Sequence, residues 1–264
     1  MGCASVAEEW PVERGGVMED CSSRRSWILG LGGMAAAGPP ALSEGEVRKL
    51  LQTVGEFYAQ GSTHASVRVR VTHELRGEQS HVELDHTLHR SGNRFHLKSE
   101  RWISILGADR AWLYHIHARE YLEEGLASDT ADQIRRRGQS QATRFVDRFA
   151  LLPKIDSKVQ FQKWEQHRNR SGKHLCAVIR LNVPDSTEQH WTERLWIEPG
   201  TGIVWKLTAD LKGRAEADRV YMPTTGMTVW ESIVLGEPPN PDLFVLHPPA
   251  GASRVKRFSL YRGR

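Results

Sequence analysis

A period of two in the pattern of apolar residues is the feature that most constrains this fold. Valines alternate with arginine and threonine in residues 67–75, and apolar residues alternate with acidic residues and threonine in residues 82–88, after an Arg76-Gly77-Glu78 turn. Such alternation predicts strands with one buried and one solvated face. Further strand-like segments are residues 94–99, 111–117, 119–122, 158–165, 174–183, 191–198, 203–211 and 227–235. Because no long helical crossover separates most of these segments, they predict an antiparallel meander.

Two segments have helical periodicity instead. Ser43 and Glu46 have the spacing of a capping box, apolar residues then recur at helical spacing up to residue 58, and Gly61 ends the helix. Between Ser128 and Leu152 an apolar stripe recurs, with Thr130–Gln133 as a second capping box and Pro153 as the stop. The predicted fold class is therefore α+β, mainly β.

The N-terminal region has the features of an export signal. Residues 23–29, Ser-Arg-Arg-Ser-Trp-Ile-Leu, resemble the twin-arginine export motif, and a glycine-rich apolar run follows. Ala35-Ala36-Ala37 then offers small residues for signal peptidase. We expect residues 1–37 to be a twin-arginine signal, with Met18 as an alternative start, and residues 38–264 to form a single domain. A basic pair before a buried helix is the other interpretation.

Composition narrows the classes of partner and of chemistry. The formal charge of this 264-residue chain is only +4, and Arg135-Arg136-Arg137 is the densest basic run, so we expect no nucleic-acid partner. No run approaches the ~18 apolar residues of a membrane span. Cys176 would be the lone cysteine of the exported part, hence a plain thiol.

No catalytic or cofactor motif is evident. The chain has no Gly-flanked nucleophile, phosphate loop or dinucleotide fingerprint, which favours a protein that is not an enzyme and has no cofactor. His115 and His117 have a spacing compatible with two zinc ligands, with His86 and His89 on a nearby run, but nothing specifies further ligands. We therefore predict no metal site.

Four segments resemble one family. Gly-Asn-Arg-Phe-His at residues 92–96 precedes Gly-Ala-Asp-Arg-Ala-Trp-Leu-Tyr at residues 107–114. Leu-Trp-Ile-Glu-Pro-Gly-Thr-Gly follows at residues 195–202, and Phe-Val-Leu-His-Pro-Pro-Ala-Gly at residues 244–251. In this order they resemble the periplasmic lipoprotein carriers of LolA type and their LolB and RseB relatives. The resemblance implies a curved antiparallel half-barrel with helices in its concave side, which holds acyl chains in an apolar cavity.

On this basis we predict which side chains line the cavity. The set comprises Trp112, Tyr114, Trp205, Leu207, Val229, Glu231, Phe145 and Phe149. Glu231 falls among apolar residues of its strand, so its carboxylate needs a partner if it is buried, and Arg144 and Arg148 on the second helix are candidates. The alternative places Glu231 at a strand bulge in solvent.

The expected function follows from the fold that the resemblance implies. We expect an exported, periplasmic binding or carrier protein for acyl chains or lipidated proteins in outer-membrane biogenesis. Two alternatives remain open: an envelope sensor or interaction domain that binds a protein partner without transporting a ligand, and an undetected hydrolase.

Overall fold

A computed structural model describes residues 39–75, 81–154, 158–184, 190–212 and 224–259. The predicted export signal and the Arg76-Gly77-Glu78 turn lie outside these ranges. The described residues group into one unit by their contacts. None of the described helices is long and apolar enough to cross a membrane.

The described part of the chain forms one open sheet of twelve strands. The strands are β1 (His64–Leu75), β2 (His81–Ser91), β3 (Arg94–Lys98), β4 (Trp102–Leu106), β5 (Arg110–His115), β6 (Glu120–Gly125), β7 (Lys158–Asn169), β8 (Gly172–Pro184), β9 (His190–Ile197), β10 (Val204–Lys212), β11 (Thr224–Leu235) and β12 (Ser253–Arg254). Their order is β12-β6-β5-β4-β3-β2-β1-β11-β10-β9-β8-β7. Two antiparallel meanders are thus joined where β1 pairs with β11. Only β12 pairs in parallel, with β6.

Two helical segments cover one face of the sheet, which we call the helix face. Helix α1 (Glu44–Ala59) begins with the predicted capping box between Ser43 and Glu46. Helix α2 (Asp129–Ala142) is capped by Ser128, two residues before the predicted cap Thr130, because the Ser128 hydroxyl accepts from the Ala131 amide. A π-helical turn, Thr143–Asp147, and a short helical turn, Arg148–Ala150, continue α2.

An aromatic cluster joins the helices to the sheet. The ring centroid of Phe149 lies 4.8 Å from that of Tyr58 on α1 and 5.4 Å from that of Trp230 on β11. The Phe145 ring is 6.4 Å from Trp230, whose indole N–H donates to the Phe145 carbonyl. All four side chains are almost fully buried. The apolar stripe of the second helix therefore packs against α1 and β11, and the predicted α+β half-barrel is confirmed.

Two glycines of the family-like segments, Gly202 and Gly107, stand at close approaches. Gly202 has φ +77°, and a Cβ there would lie 2.8 Å from the Thr53 carbonyl oxygen of α1. At Gly107 a Cβ would lie 2.7 Å from the Phe244 carbonyl oxygen and 2.8 Å from the Trp112 ring. The first glycine lets the β9–β10 turn touch α1. The second lets the C-terminal segment lie on β4 and β5.

Three β-bulges in the described strands break the alternation that the sequence predicts: one is at Gln162 of β7, and the other two involve predicted lining residues. The register of β10 against β9 shifts between Val204 and Lys206, so Trp205 is the extra residue. The register of β11 against β1 shifts between Ser232 and Trp230, so Glu231 is the extra residue. A bulge re-aims the side chains on either side of it. Strand β4 was not predicted, because Trp-Ile-Ser-Ile-Leu has no clear alternation.

Candidate functional site

A cavity of about 350 Å³ lies between the helix face of the sheet and the end of the second helix. The lining residues come from β1, β10, β11 and the π-helical and short helical turns. They are Val71, His73, Arg144, Arg148, Leu207, Ala209, Gly226, Met227, Thr228 and Trp230. The volume is in the lower part of the range of about 300–1,000 Å³ that is typical of ligand pockets.

The sheet wall of the cavity is mostly apolar and is set by cross-strand pairing. Thr228 pairs with Val71 on one side and with Leu207 on the other. Gly226 pairs with His73 and with Ala209. Because directly paired residues project to the same side of a sheet, these side chains face one space. The missing side chain at Gly226 adds to it, since the nearest atom to a Cβ there is 3.8 Å away.

The helical wall is cationic. Arg144 and Arg148 both line the cavity. The Arg148 guanidinium donates to Glu193 of β9, with Nη2 2.6 Å from Oε1, and Glu193 is only 3% exposed. Burial and the Arg144 charge both lower the pKa of His73, which keeps this imidazole neutral near pH 7.

Of the predicted lining residues, Leu207 lies in the cavity wall. Phe145 and Phe149 lie behind the wall: both rings pack on Trp230, and the Trp230 side chain lines the cavity. Val229 pairs with Arg70 and Lys206, on the opposite face of the sheet, which we call the outer face. The structure thus brings three of the predicted residues to the cavity region.

Trp112 and Tyr114 lie on the outer face, away from the cavity. Phe95 of β3 packs against Gly138 of α2, so its neighbour Arg94 projects outward, and the Arg94 guanidinium lies 4.9 Å from the Phe244 ring centroid. The Gly107 contact places Trp112 beside the backbone of Phe244. Tyr114 follows Trp112 by two residues and is buried on that side. The C-terminal segment therefore covers Trp112.

Two of the bulge residues have partners of their own outside the cavity. Trp205 stacks on His174 at 4.2 Å and its indole N–H donates to Glu198. Glu231 is 6% exposed and accepts from the Arg170 amide at 3.1 Å. Its carboxylate also lies 3.9 Å from the Arg70 guanidinium. The structure therefore differs from the predicted pairing with Arg144 or Arg148, because the bulge turns Glu231 away from the helices, although the carboxylate is buried and paired.

Sequence reasoning did not select most of the cavity wall. Trp230 and Val229 are adjacent, so their side chains lie on opposite faces of the strand. Without the bulge at Glu231, the alternation places Val229 on the helix face and Trp230 on the outer face. Arg144 and Arg148 were singled out only as partners for Glu231. Residues four apart lie on the same side of a helix, so the spacing of Arg144 and Arg148 predicts two cations side by side, next to the apolar stripe of Phe145 and Phe149.

The environments of Cys176, His115 and His117 show neither an activated thiol nor a metal site. Cys176 is buried, and burial raises the pKa of its thiol to about 12, so the thiolate is disfavoured. Strand β5 ends at His115, which is 7% exposed and accepts from the Ala118 amide, while His117 lies in the following turn. Among the described residues no group of three or more His, Cys, Asp or Glu side chains is placed to hold a metal ion.

A serine, a histidine and a glutamate form a chain of contacts that the sequence did not suggest. Ser171 Oγ lies 2.9 Å from His174 Nε2, and His174 Nδ1 lies 3.3 Å from Glu198 Oε1. The Ser171 hydroxyl donates to Asn169 Oδ1 at 2.6 Å, so its proton is not directed at the imidazole, as activation of a nucleophile requires. The chain of contacts ties the β7–β8 turn to the β9–β10 turn.

Comparison with known proteins finds similar solved structures but no match to a family or to a curated sequence. No family model and no curated protein matches the chain. Similar solved structures include a LolA superfamily protein from Nitrosomonas europaea, with 9% identity, a TM-score of 0.27 and coverage of 74% of this chain and 96% of that one. LprF from Mycobacterium bovis has 12% identity, a TM-score of 0.36 and coverage of 76% and 99%.

A third similar structure is that of the MucA/MucB complex of Pseudomonas aeruginosa. It has 13% identity and a TM-score of 0.32, with coverage of 76% of this chain and 61% of that one. The element order and the helices on one face of an open curved sheet agree with the half-barrel that the sequence resemblance implied.

Proposed function

We propose that this protein is an exported binding protein that holds an acyl chain, free or attached to a lipidated protein, in the cavity on the helix face. The observation that carries the proposal is the cavity itself, a space of about 350 Å³ with Leu207, Ala209 and Trp230 in its wall. An apolar ligand placed there would remove both its own surface and that of the wall from water, which is favourable by about 25 cal/mol per Å².

The proposed location is the periplasm or another compartment outside the cytosol, reached through the signal in residues 1–37. The proposed role is carriage or storage and not catalysis. This choice is supported by the surroundings of Ser171 and Cys176, in which neither side chain is activated as a nucleophile.

Filling the cavity tests the proposal. Gly226→Leu places a side chain in the cavity without a backbone clash, since a Cβ there meets no atom closer than 3.8 Å. Gly45→Leu is the matched control, because a Cβ at Gly45 on α1 has no neighbour within 4 Å and does not face the sheet. Each protein is purified from its native envelope, and the bound lipids are extracted and identified by mass spectrometry.

We expect acyl-containing molecules with the parent protein and with Gly45→Leu, and a loss of most of them with Gly226→Leu. If the parent carries no such molecule and binds no fatty acid in titration, the carrier role is wrong, and the envelope-interaction role becomes the better hypothesis.

A further inference from the structure

The cavity has one charged wall, formed where the second helix becomes π-helical. The Arg148 amide bonds to the Thr143 carbonyl, five residues back, which closes the π-helical turn. Such turns are rare and often stand at functional sites. Here the turn sets Arg144 and Arg148 side by side at the cavity. Two like charges on neighbouring positions of a helix are destabilising by a few tenths of a kcal/mol, so folding alone does not favour the pair.

The two guanidinium groups differ in their partners. Arg148 is neutralised by Glu193. Arg144 lies against the Phe145 ring, with its guanidinium carbon 5.4 Å from the ring centroid, and no carboxylate among the described residues is within ion-pair distance of it. Partial burial and the neighbouring Arg148 both lower the pKa of Arg144. The helical wall therefore presents a positive charge that is partly desolvated and not compensated within the described part of the protein.

The other described groups near Arg144 do not supply a free anion. His73, across the cavity on β1, and His86 on β2 both have a pKa lowered by burial and by the Arg144 charge. These neutral imidazoles can donate a hydrogen bond but add no negative charge. Asp147, next along the helix, is held by Arg90 at 2.8 Å.

We infer that the ligand of this cavity is an amphiphile with an anionic head group, a carboxylate or a phosphate, bound by Arg144 while its single apolar chain lies against Leu207, Ala209 and Trp230. This inference rests on the proposed function and names the ligand class of the same site. The juxtaposition of one uncompensated guanidinium with an apolar wall matches the two ends of such a molecule. A planar guanidinium binds either anion through two parallel N–H donors. The modest volume of about 350 Å³ favours one chain over several.

Calorimetric titration with three ligands of equal chain length tests the inference. Dodecanoate and dodecyl phosphate carry the two candidate head groups, and dodecanol is the neutral counterpart. The proteins are the full chain without its signal, Arg144→Gln, Arg144→Lys, and Arg48→Gln as control, since Arg48 pairs with Glu44 on the exposed side of α1. A charge-assisted hydrogen bond contributes enough to make the anions bind about 10-fold more tightly than dodecanol, or more.

We expect Arg144→Gln to abolish the preference for the anions while dodecanol still binds, Arg144→Lys to keep most of it, and Arg48→Gln to keep all of it. The tighter of the two anions identifies the head-group class. Equal affinity of the parent protein for dodecanol and dodecanoate would overturn the inference but leave the proposed function standing. So would a preference that survives in Arg144→Gln. If no ligand binds the parent protein, both fail.

Discussion

Arg148 and Glu193 connect the second helix to the sheet beside the cavity, with Nη2 of Arg148 2.6 Å from Oε1 of Glu193. The carboxylate is 3% exposed, and it stands on the strand next to β10, paired across the sheet with Ala209 of the cavity wall. The sequence offered Arg148, like Arg144, only as a candidate partner for Glu231, with a solvated Glu231 as the alternative. Arg148 therefore pairs with Glu193 instead, at the edge of the cavity that it lines.

Removing one member of this pair should lower the free energy of unfolding more than removing both members. Arg148→Met leaves the Glu193 carboxylate buried without its cation, which we expect to lower the free energy of unfolding by about 1–3 kcal/mol. The double variant Arg148→Met/Glu193→Leu should recover much of that loss, because no unpaired charge remains. Urea unfolding of the two single variants and the double variant measures the coupling.

The surface pair of Arg48 and Glu44 is the control for this cycle, since both side chains are more than half exposed. Arg48→Met should change the stability by less than about 0.5 kcal/mol. Strictly additive effects of Arg148→Met and Glu193→Leu would show that the pair does not couple helix and sheet.

Of the two glycines in the β9–β10 turn, Gly202 should tolerate substitution less well than Gly200. Gly202→Ala places a Cβ at φ +77° and 2.8 Å from the Thr53 carbonyl oxygen, so we expect a destabilisation of about 1–3 kcal/mol. Gly200→Ala in the same turn meets no atom within 4 Å and should be nearly neutral. Thermal unfolding of both variants checks the contrast. Equal melting temperatures would mean that the turn does not need to approach α1 so closely.

Stability should fall as the pH drops below neutrality. Burial, with smaller contributions from His89 and Lys98, lowers the pKa of His96 from 6.5 to about 4 in the folded protein. The unfolded chain therefore binds a proton at higher pH than the folded one, and the stability that neutral His96 contributes is present above pH 6.5 and lost as the pH falls towards 4. Between neutral pH and about pH 5 this amounts to about 2 kcal/mol.

Urea unfolding at both pH values measures the effect. His96→Gln should reduce the loss, whereas His247→Gln, at an exposed position, should leave it unchanged. If His96→Gln loses as much stability between neutral pH and pH 5 as the parent protein, the pH dependence comes from other groups.

Export is the remaining prediction. A reporter fused after residue 43 should leave the cytosol, and changing both Arg24 and Arg25 to Lys should block this, because the twin-arginine pathway requires the arginine pair. Arg14→Lys, upstream of the pair, is the matched control. Cell fractionation measures the reporter, and unimpaired export of the double variant would rule out this route.

The sequence by itself determined the type and order of most elements and the direction of the apolar faces. The capping box at Ser43 and Glu46 and the hairpin at the start of the sheet appear as predicted, because they depend on local hydrogen bonds and on the period of the side chains. The family-like glycines could likewise be recognised, although the contacts that explain them, such as Gly202 against Thr53, join distant parts of the chain.

Only the tertiary structure decided which side chains form the cavity. Trp205 and Glu231 occupy bulges, and a bulge leaves no mark on the alternation of its own strand, because it is a mismatch between that strand and its neighbour. One extra residue reverses the faces of everything beyond it. Hence Trp230 lines the cavity and Val229 does not, and Arg148 pairs with Glu193 rather than with Glu231.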